Sequence, residues 1–427
     1  MYRELSSTQL AELKQALQTE YEGYQAQKLN LNMARGKPAA DQLDLSMDML
    51  SAVTDFDNCL AEDGTDCRNY GIVDGLPEAK ALMATMLDDQ PENVIVFGNS
   101  SLTIMHDILA RIYMFGTQGA TPWSKLDTVK WLCPSPGYDR HFGLTEHFGF
   151  ELITVPMTKD GPDMDVVEKL VAEDASIKGI WCVPKYSNPG GEVYSDEVVD
   201  RLASMKTAAV DFRIFWDNAY CVHYLYDQPE MQDNLKDIGE ACRAAGNPDR
   251  YLKFASTSKV TFPGAGLSGF AASPANVAET KSCMSVGTIG HDKLNQLRHV
   301  KFLKDAQGIA DHMMKHAAIL RPKFDLVLNA LESGLAEVGE CTWSKPRGGY
   351  FISFTGAPNT AKRTVQLAKE AGVTMTGAGA TFPYKKDPQD SNIRIAPTLP
   401  PVDELEMAMK VFVCCNKLAT VESLLAE

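Results

Sequence analysis

The chain predicts an α/β protein: a largely parallel sheet flanked by helices, joined to a smaller α+β domain. Three observations carry this. Between about Val94 and Ala272, short apolar runs alternate with amphipathic stretches, the texture of strands separated by helices. Each of five such runs leads into a polar or turn-forming motif. Beyond about Asn295 the texture changes, and 427 residues exceed the roughly 250 to 300 that a single core sustains.

The elements follow in order. Residues 1–30 carry Leu10, Leu13 and Leu17 at helical spacing among Glu4, Glu12, Glu20 and Glu22, which predicts an amphipathic helix rather than a signal peptide. The strand runs are Val94-Ile95-Val96-Phe97, Val129-Lys130-Trp131-Leu132, Leu152-Ile153-Thr154-Val155, Ile180-Trp181-Cys182-Val183, Ile214-Phe215-Trp216 and Tyr251-Leu252-Lys253-Phe254-Ala255. A His-, Lys- and Leu-rich helical stretch comes after Asn295. Strands are predicted at Tyr350-Phe351-Ile352-Ser353-Phe354 and Asn392-Ile393-Arg394-Ile395. A last helix starts behind Pro400-Pro401, with Val402, Leu405, Met409, Phe412 and Val413 on one face. The expected division is a large domain over residues 51–309 and a small domain built from residues 1–50 plus 310–427.

Composition narrows the function. A net charge of −15 and a pI near 5.1 argue against nucleic acid or an anionic membrane as the main partner, because binding phosphate needs clustered Lys and Arg. No run approaches the roughly 18 apolar residues of a membrane span. The ten cysteines lack CxxC spacing, so neither a zinc site nor a disulfide framework is suggested, and a reducing cytoplasm is the expected location.

In open sheets of this kind, ligands bind beyond the carboxyl ends of the strands. The motifs expected there are Gly98-Asn99-Ser100-Ser101, Pro134-Ser135-Pro136-Gly137-Tyr138, Asn188-Pro189-Gly190-Gly191, Asp217-Asn218-Ala219-Tyr220 and Ser256-Thr257-Ser258-Lys259. A lysine at the mouth of a buried strand loses hydration, which lowers its pKa and exposes the nucleophilic amine that Schiff-base chemistry requires. Taken alone, a lysine near serines is ordinarily a surface residue. The same holds for the other motifs: Asn-Pro-Gly-Gly is by itself a turn, Tyr138 core packing, and Ser100 or Ser101 an ordinary helix cap ahead of a helix beginning near Leu102. Arg394, flanked by apolar residues, needs a partner; a substrate carboxylate or a structural ion pair would each serve.

Jointly, the ordered set Tyr70, Gly98-Asn99-Ser100-Ser101, Tyr138, Asn188-Pro189-Gly190-Gly191, Asp217-Asn218-Ala219-Tyr220, Ser256-Thr257-Ser258-Lys259 and Arg394 resembles the fold-type I aminotransferases (class I), which depend on pyridoxal 5'-phosphate (PLP). The resemblance covers nearly the whole chain. Arg35-Gly36-Lys37-Pro38, Tyr138-Asp139-Arg140 and Lys185-Tyr186-Ser187-Asn188-Pro189 are similar to a bacterial branch of aspartate aminotransferase. The resemblance implies the PLP-dependent transferase fold, with a main sheet of the seven-stranded type. It implies that Lys259 forms the Schiff base and moves the substrate proton, with Asp217 at the pyridine nitrogen, Tyr220 and Asn188 at the phenolic oxygen and Tyr138 against the ring. Ser100, Ser101, Leu102, Ser256 and Ser258 would hold the phosphate. Tyr70 would reach the phosphate of a neighbouring subunit, which implies a homodimer with shared sites.

Arg394, Arg35 and Gly36 would bind substrate. A dicarboxylate needs a second cation, for which Arg35, Lys37, Arg140, Lys293 and Arg298 all remain open. The implied reaction is ping-pong transamination of L-aspartate and 2-oxoglutarate to oxaloacetate and L-glutamate. Alternatives are a preference for alanine, aromatic or 2-aminoadipate substrates, or a PLP-dependent lyase. A PLP-sensing regulator would need an added DNA-binding segment, and a nicotinamide dehydrogenase a GxGxxG after the first strand; the chain shows neither. One position departs from the family pattern: a phosphate-binding arginine is expected where the chain has Gly266-Leu267-Ser268-Gly269.

Overall fold

The computed structural model describes residues 1–55 and 57–427. Its main sheet contains β1 (Val94–Phe97), β2 (Lys130–Ser135), β3 (Glu151–Thr158), β4 (Gly161–Pro162), β5 (Ile177–Cys182), β6 (Arg213–Asp217), β7 (Tyr251–Ser256) and β8 (Ser268–Ala272). Their spatial order is β1-β8-β7-β6-β5-β2-β3-β4. The run β7-β6-β5-β2-β3 is parallel, as the alternating texture predicts. Every residue of β5, β6 and β7 is buried, because helices cover both faces of a parallel sheet.

Two features depart from the expected pattern. β4 is a two-residue arm folded back on β3, an eighth strand beside the seven anticipated. β8 runs antiparallel between β1 and β7, pairing Ser268 with both Phe97 and Ser256. Gly266-Leu267-Ser268-Gly269 is thus the entry into a buried strand rather than a continuing loop. Being antiparallel, β8 brings its first residue to the edge where β1 and β7 end.

One face of the sheet packs an aromatic layer, in which Trp131 lies 5.3 Å from Trp181 and 5.1 Å from Phe215. The helix Ser7–Ala26 packs elsewhere. It begins with a capping box between Ser6 and Gln9 and buries Leu10, Leu17 and Tyr21 in a core shared with Phe354, Phe412 and other residues of the C-terminal part. Leu31–Asn32 also pairs with Val373–Thr374. A three-stranded antiparallel sheet of Thr342–Trp343, Ile352–Thr355 and Asn392–Ile395 adjoins this core, and Val402–Leu424 forms the last helix, starting directly behind the two prolines. The helical stretch after Asn295 resolves into Lys293–Leu303 and the long helix Ala306–Leu335.

Candidate active site

The sheet topology places the carboxyl ends of β1, β2, β5, β6 and β7 along one edge, and the polar motifs follow those ends. Lys259 lies in the turn after β7. Its Nζ sits 5.0 Å from the centre of the Tyr220 ring and 5.8 Å from that of Tyr350, and it makes no hydrogen bond among the described residues. Burial lowers its pKa below the ordinary lysine value, opposed by the carboxylate of Asp217.

Asp217 ends β6 and is 2 % exposed. Its Oδ2 lies 2.9 Å from His141 Nε2, and the His141 ring stacks on Trp181 at 4.3 Å and 10°. Its Oδ1 is buried without a partner among the described residues. An unpaired buried carboxylate oxygen is costly, so the geometry fits a cationic ring N–H donor at this point. Tyr138 stands edge-on to His141 at 4.9 Å, and burial pushes its hydroxyl up to about 12. The Tyr220 hydroxyl is raised by burial as well.

Next to β1, Ser100 occupies the N-cap position of the helix Ser101–Phe115, yet its side chain makes no capping hydrogen bond. The ordinary-cap alternative for Ser100 is therefore not realised, and the first-turn N–H groups and the helix dipole remain suited to an anion. Ser256 Oγ donates to Ser258 Oγ at 2.9 Å, and Ser258 Oγ donates to the Asn99 carbonyl at 3.1 Å. Ser268, at the position of the expected arginine, donates to the Gly98 carbonyl at 2.7 Å. The residue that lacks the charge instead fastens the segment 98–101 to the neighbouring strand.

Arg394 comes from the small sheet. Its Nη1 donates to Asp139 Oδ1 at 2.8 Å and to Asn188 Oδ1 at 3.3 Å, and its guanidinium lies 4.8 Å from the Phe351 ring centre. Its Nε is buried without a partner among the described residues. The ion-pair alternative is thus occupied by Asp139, and Nη2 donates to Thr376 Oγ1 at 3.5 Å, which leaves Nε as the unpaired donor. Arg394, Lys259, Tyr138, Tyr220 and Asn188 line one cavity of about 450 Å³. Arg35, Lys37 and Arg140 border it too, whereas Lys293 and Arg298 do not. Gly36 is required by space, since a Cβ there would overlap the Phe351 ring.

Tyr70 is not brought to this cavity; 82 % exposed, it borders a separate surface cleft with Arg68, His291 and Lys293. Four participants went unnoticed in the sequence: His141, Trp181, Tyr350 and Phe351. His141 had one usable signal, its place on the helical turn just after Tyr138.

The family model described as aspartate amino-transferase matches residues 5–427. The chain belongs to this aminotransferase family. Among its relatives, the aspartate aminotransferase of Corynebacterium glutamicum is 48 % identical over 408 residues, 95 % of this chain and 93 % of the relative. A crystal structure of an aspartate transaminase from the same species has a TM-score of 0.96 at 45 % identity, covering 99 % of each chain. At 21 % identity, the α-aminoadipate aminotransferase of Thermus thermophilus, solved with N-(5'-phosphopyridoxyl)-L-leucine, shares the fold with a TM-score of 0.71 over 93 % of each chain. The aminotransferase thus has the PLP fold type I architecture, and its enzyme class is transaminase. No helix among the described residues is long and apolar enough to cross a membrane.

Proposed function

We propose that this aminotransferase binds PLP on Lys259 and transfers the amino group of L-aspartate to 2-oxoglutarate by a ping-pong route. The observation that carries the reading is one cavity lined by a lysine amine with no hydrogen bond among the described residues and by a partly unpaired Arg394, with the buried, orphaned Asp217 oxygen in charge contact with that lysine. Bound there, the cofactor supplies an electrophilic carbonyl carbon and an electron-withdrawing ring.

The residues have separate tasks in this proposal. Lys259 anchors the cofactor covalently and, once freed, carries the proton at the substrate Cα, nucleophile and base at different stages. Asp217, steadied by His141, accepts from the protonated ring nitrogen. Tyr138 packs against the ring, and Asn188 and Tyr220 donate to its phenolic oxygen. Ser100, Ser101, Leu102, Ser256 and Ser258 offer hydroxyl and N–H groups to the phosphate. Arg394 exchanges Asp139 for the substrate α-carboxylate. Arg35, Lys37 and Arg140 surround the remaining space with positive charge, which favours an acidic side chain over alanine or an aromatic residue. Substrate would enter between a unit of residues 51–309 and one of residues 1–50 plus 310–427. Exposed Tyr70 would serve the site of a second copy in a cytoplasmic homodimer.

The test is an absorbance titration of the PLP-loaded protein with aspartate, glutamate, alanine and phenylalanine. Loss of the cofactor band with the acidic pair alone, restored by oxaloacetate or 2-oxoglutarate, is expected. A response confined to alanine or phenylalanine would overturn the substrate assignment. Lys259→Ala should lower turnover by at least about 10²–10⁴-fold, and a variant with normal steady-state rates would remove Lys259 from its role.

A further inference from the structure

The carbonyl of Val260, the residue after Lys259, is buried between two imidazoles. His312 Nε2 lies 2.8 Å from it and His316 Nε2 3.0 Å, with 3.2 Å between the two nitrogens. Both histidines lie on one face of the helix Ala306–Leu335, one turn apart. An oxygen so placed needs a proton on each facing nitrogen, and its two lone pairs take both.

A glutamine sets the His316 tautomer. Gln42 Oε1 accepts from Ala39 N at 3.1 Å, which turns its Nε2 toward His316 Nδ1, also at 3.1 Å. Nδ1 must then accept, leaving the ring proton on Nε2, where the Val260 carbonyl requires it. A second proton on His316 would set N–H against N–H. The same Gln42 Nε2 donates to the Tyr350 hydroxyl at 3.0 Å, and the Tyr350 ring stacks with that of Tyr220 at 6.1 Å, the lysine amine lying beside the pair. Gln42, His316 and Tyr350 are all buried.

We propose that Gln42, His316 and His312 are positioning residues for the reacting lysine: they fasten the Val260 carbonyl and the Tyr350 ring together, with His316 held neutral by Gln42, so the Lys259 amine keeps its place beside the stacked pair of Tyr220 and Tyr350. This rests on the assignment of Lys259 as the reactive amine. Burial lowers His312, and lowers His316 to about 4, in keeping with uncharged rings. The amine otherwise faces Asp217 and His223, and His312 feels Lys315. None of the three residues lines the cavity.

The test compares full-length Gln42→Leu, His316→Leu and His316→Gln with the parent by two readouts. In cofactor-free protein, the pH midpoint for acylation of Lys259, followed by peptide mass spectrometry, reports the amine itself. With PLP bound, steady-state rates separate kcat from KM. Gln42→Leu and His316→Leu should move the midpoint upward, toward the ordinary value, as the loosened amine gains water, and lower kcat by about tenfold with KM within about twofold. His316→Gln, which retains a donor for the Val260 carbonyl, should recover most of the kcat lost in His316→Leu. Unchanged midpoint and kcat, even with a lowered melting temperature, would show a merely structural cluster and overturn the proposal. If His316→Leu fails to fold, an unchanged midpoint in Gln42→Leu overturns it equally. A parent that shows an ordinary lysine midpoint and forms no absorbing adduct with PLP would instead defeat the assignment of Lys259, a different result from silent variants.

Discussion

Lys259 and Asp217 follow apolar runs, and their chemistry can be read from residue type and place: an amine at a strand mouth, a carboxylate ending a buried strand. His141, Phe351 and Gln42 could not be found that way. Each gains its meaning from a neighbour remote in sequence: Asp217, Arg394 and His316 respectively. The lysine also leaves a mark on stability. Its folded pKa is depressed, so over the interval up to the unfolded value of about 10.4 the unfolded chain holds more protons, and stability rises with pH there. Below that interval the folded state bears the full penalty of a buried charge. Cofactor-free Lys259→Met should therefore be more stable than the parent at neutral pH, by a margin that shrinks toward pH ~10. Urea denaturation at the two pH values checks this, and a margin independent of pH would contradict it.

The elements were more legible than the residues. The parallel core, the strand Asn392–Ile395 and the helix after Pro401 follow from periodicity and punctuation, because burial on both faces writes continuous apolar runs into strands. β8 escaped because its start, Gly266-Leu267-Ser268-Gly269, has the composition of a turn, and its antiparallel pairing is a tertiary fact. The Arg35-Gly36-Lys37 segment shows how tightly elements meet at the site. Gly36→Ala should push the Phe351 ring and tilt Arg394 above it, raising the aspartate KM by about tenfold with a smaller change in kcat. Steady-state kinetics decide; an unchanged KM would mean that Phe351 yields without disturbing the guanidinium.

Across the whole molecule, three histidines are buried near the active-site edge. His223 is lowered to about 3, and His299 and His316 to about 4, each chiefly by burial. The unfolded chain takes up these protons near pH ~6.5, whereas the folded chain resists until far lower, so the stability they contribute is complete above about 6.5 and is lost as pH falls toward 4 and below. Urea midpoints should fall steadily through that window, and less steeply in His316→Gln; a flat profile would contradict the shifts.

The pairing of Ser256 with Ser268 has a kinetic consequence. With Thr257 N donating to Leu267 O at 2.8 Å and Leu267 N to Thr257 Oγ1 at 2.8 Å, the loop bearing Lys259 is closed at its stem by the sheet itself. It has no hinge of its own, so the amides of Thr257 and Leu267 should exchange with deuterium only as slowly as β7 and β8 come apart. Fast exchange at these two amides would reveal a catalytic loop that opens independently of the sheet.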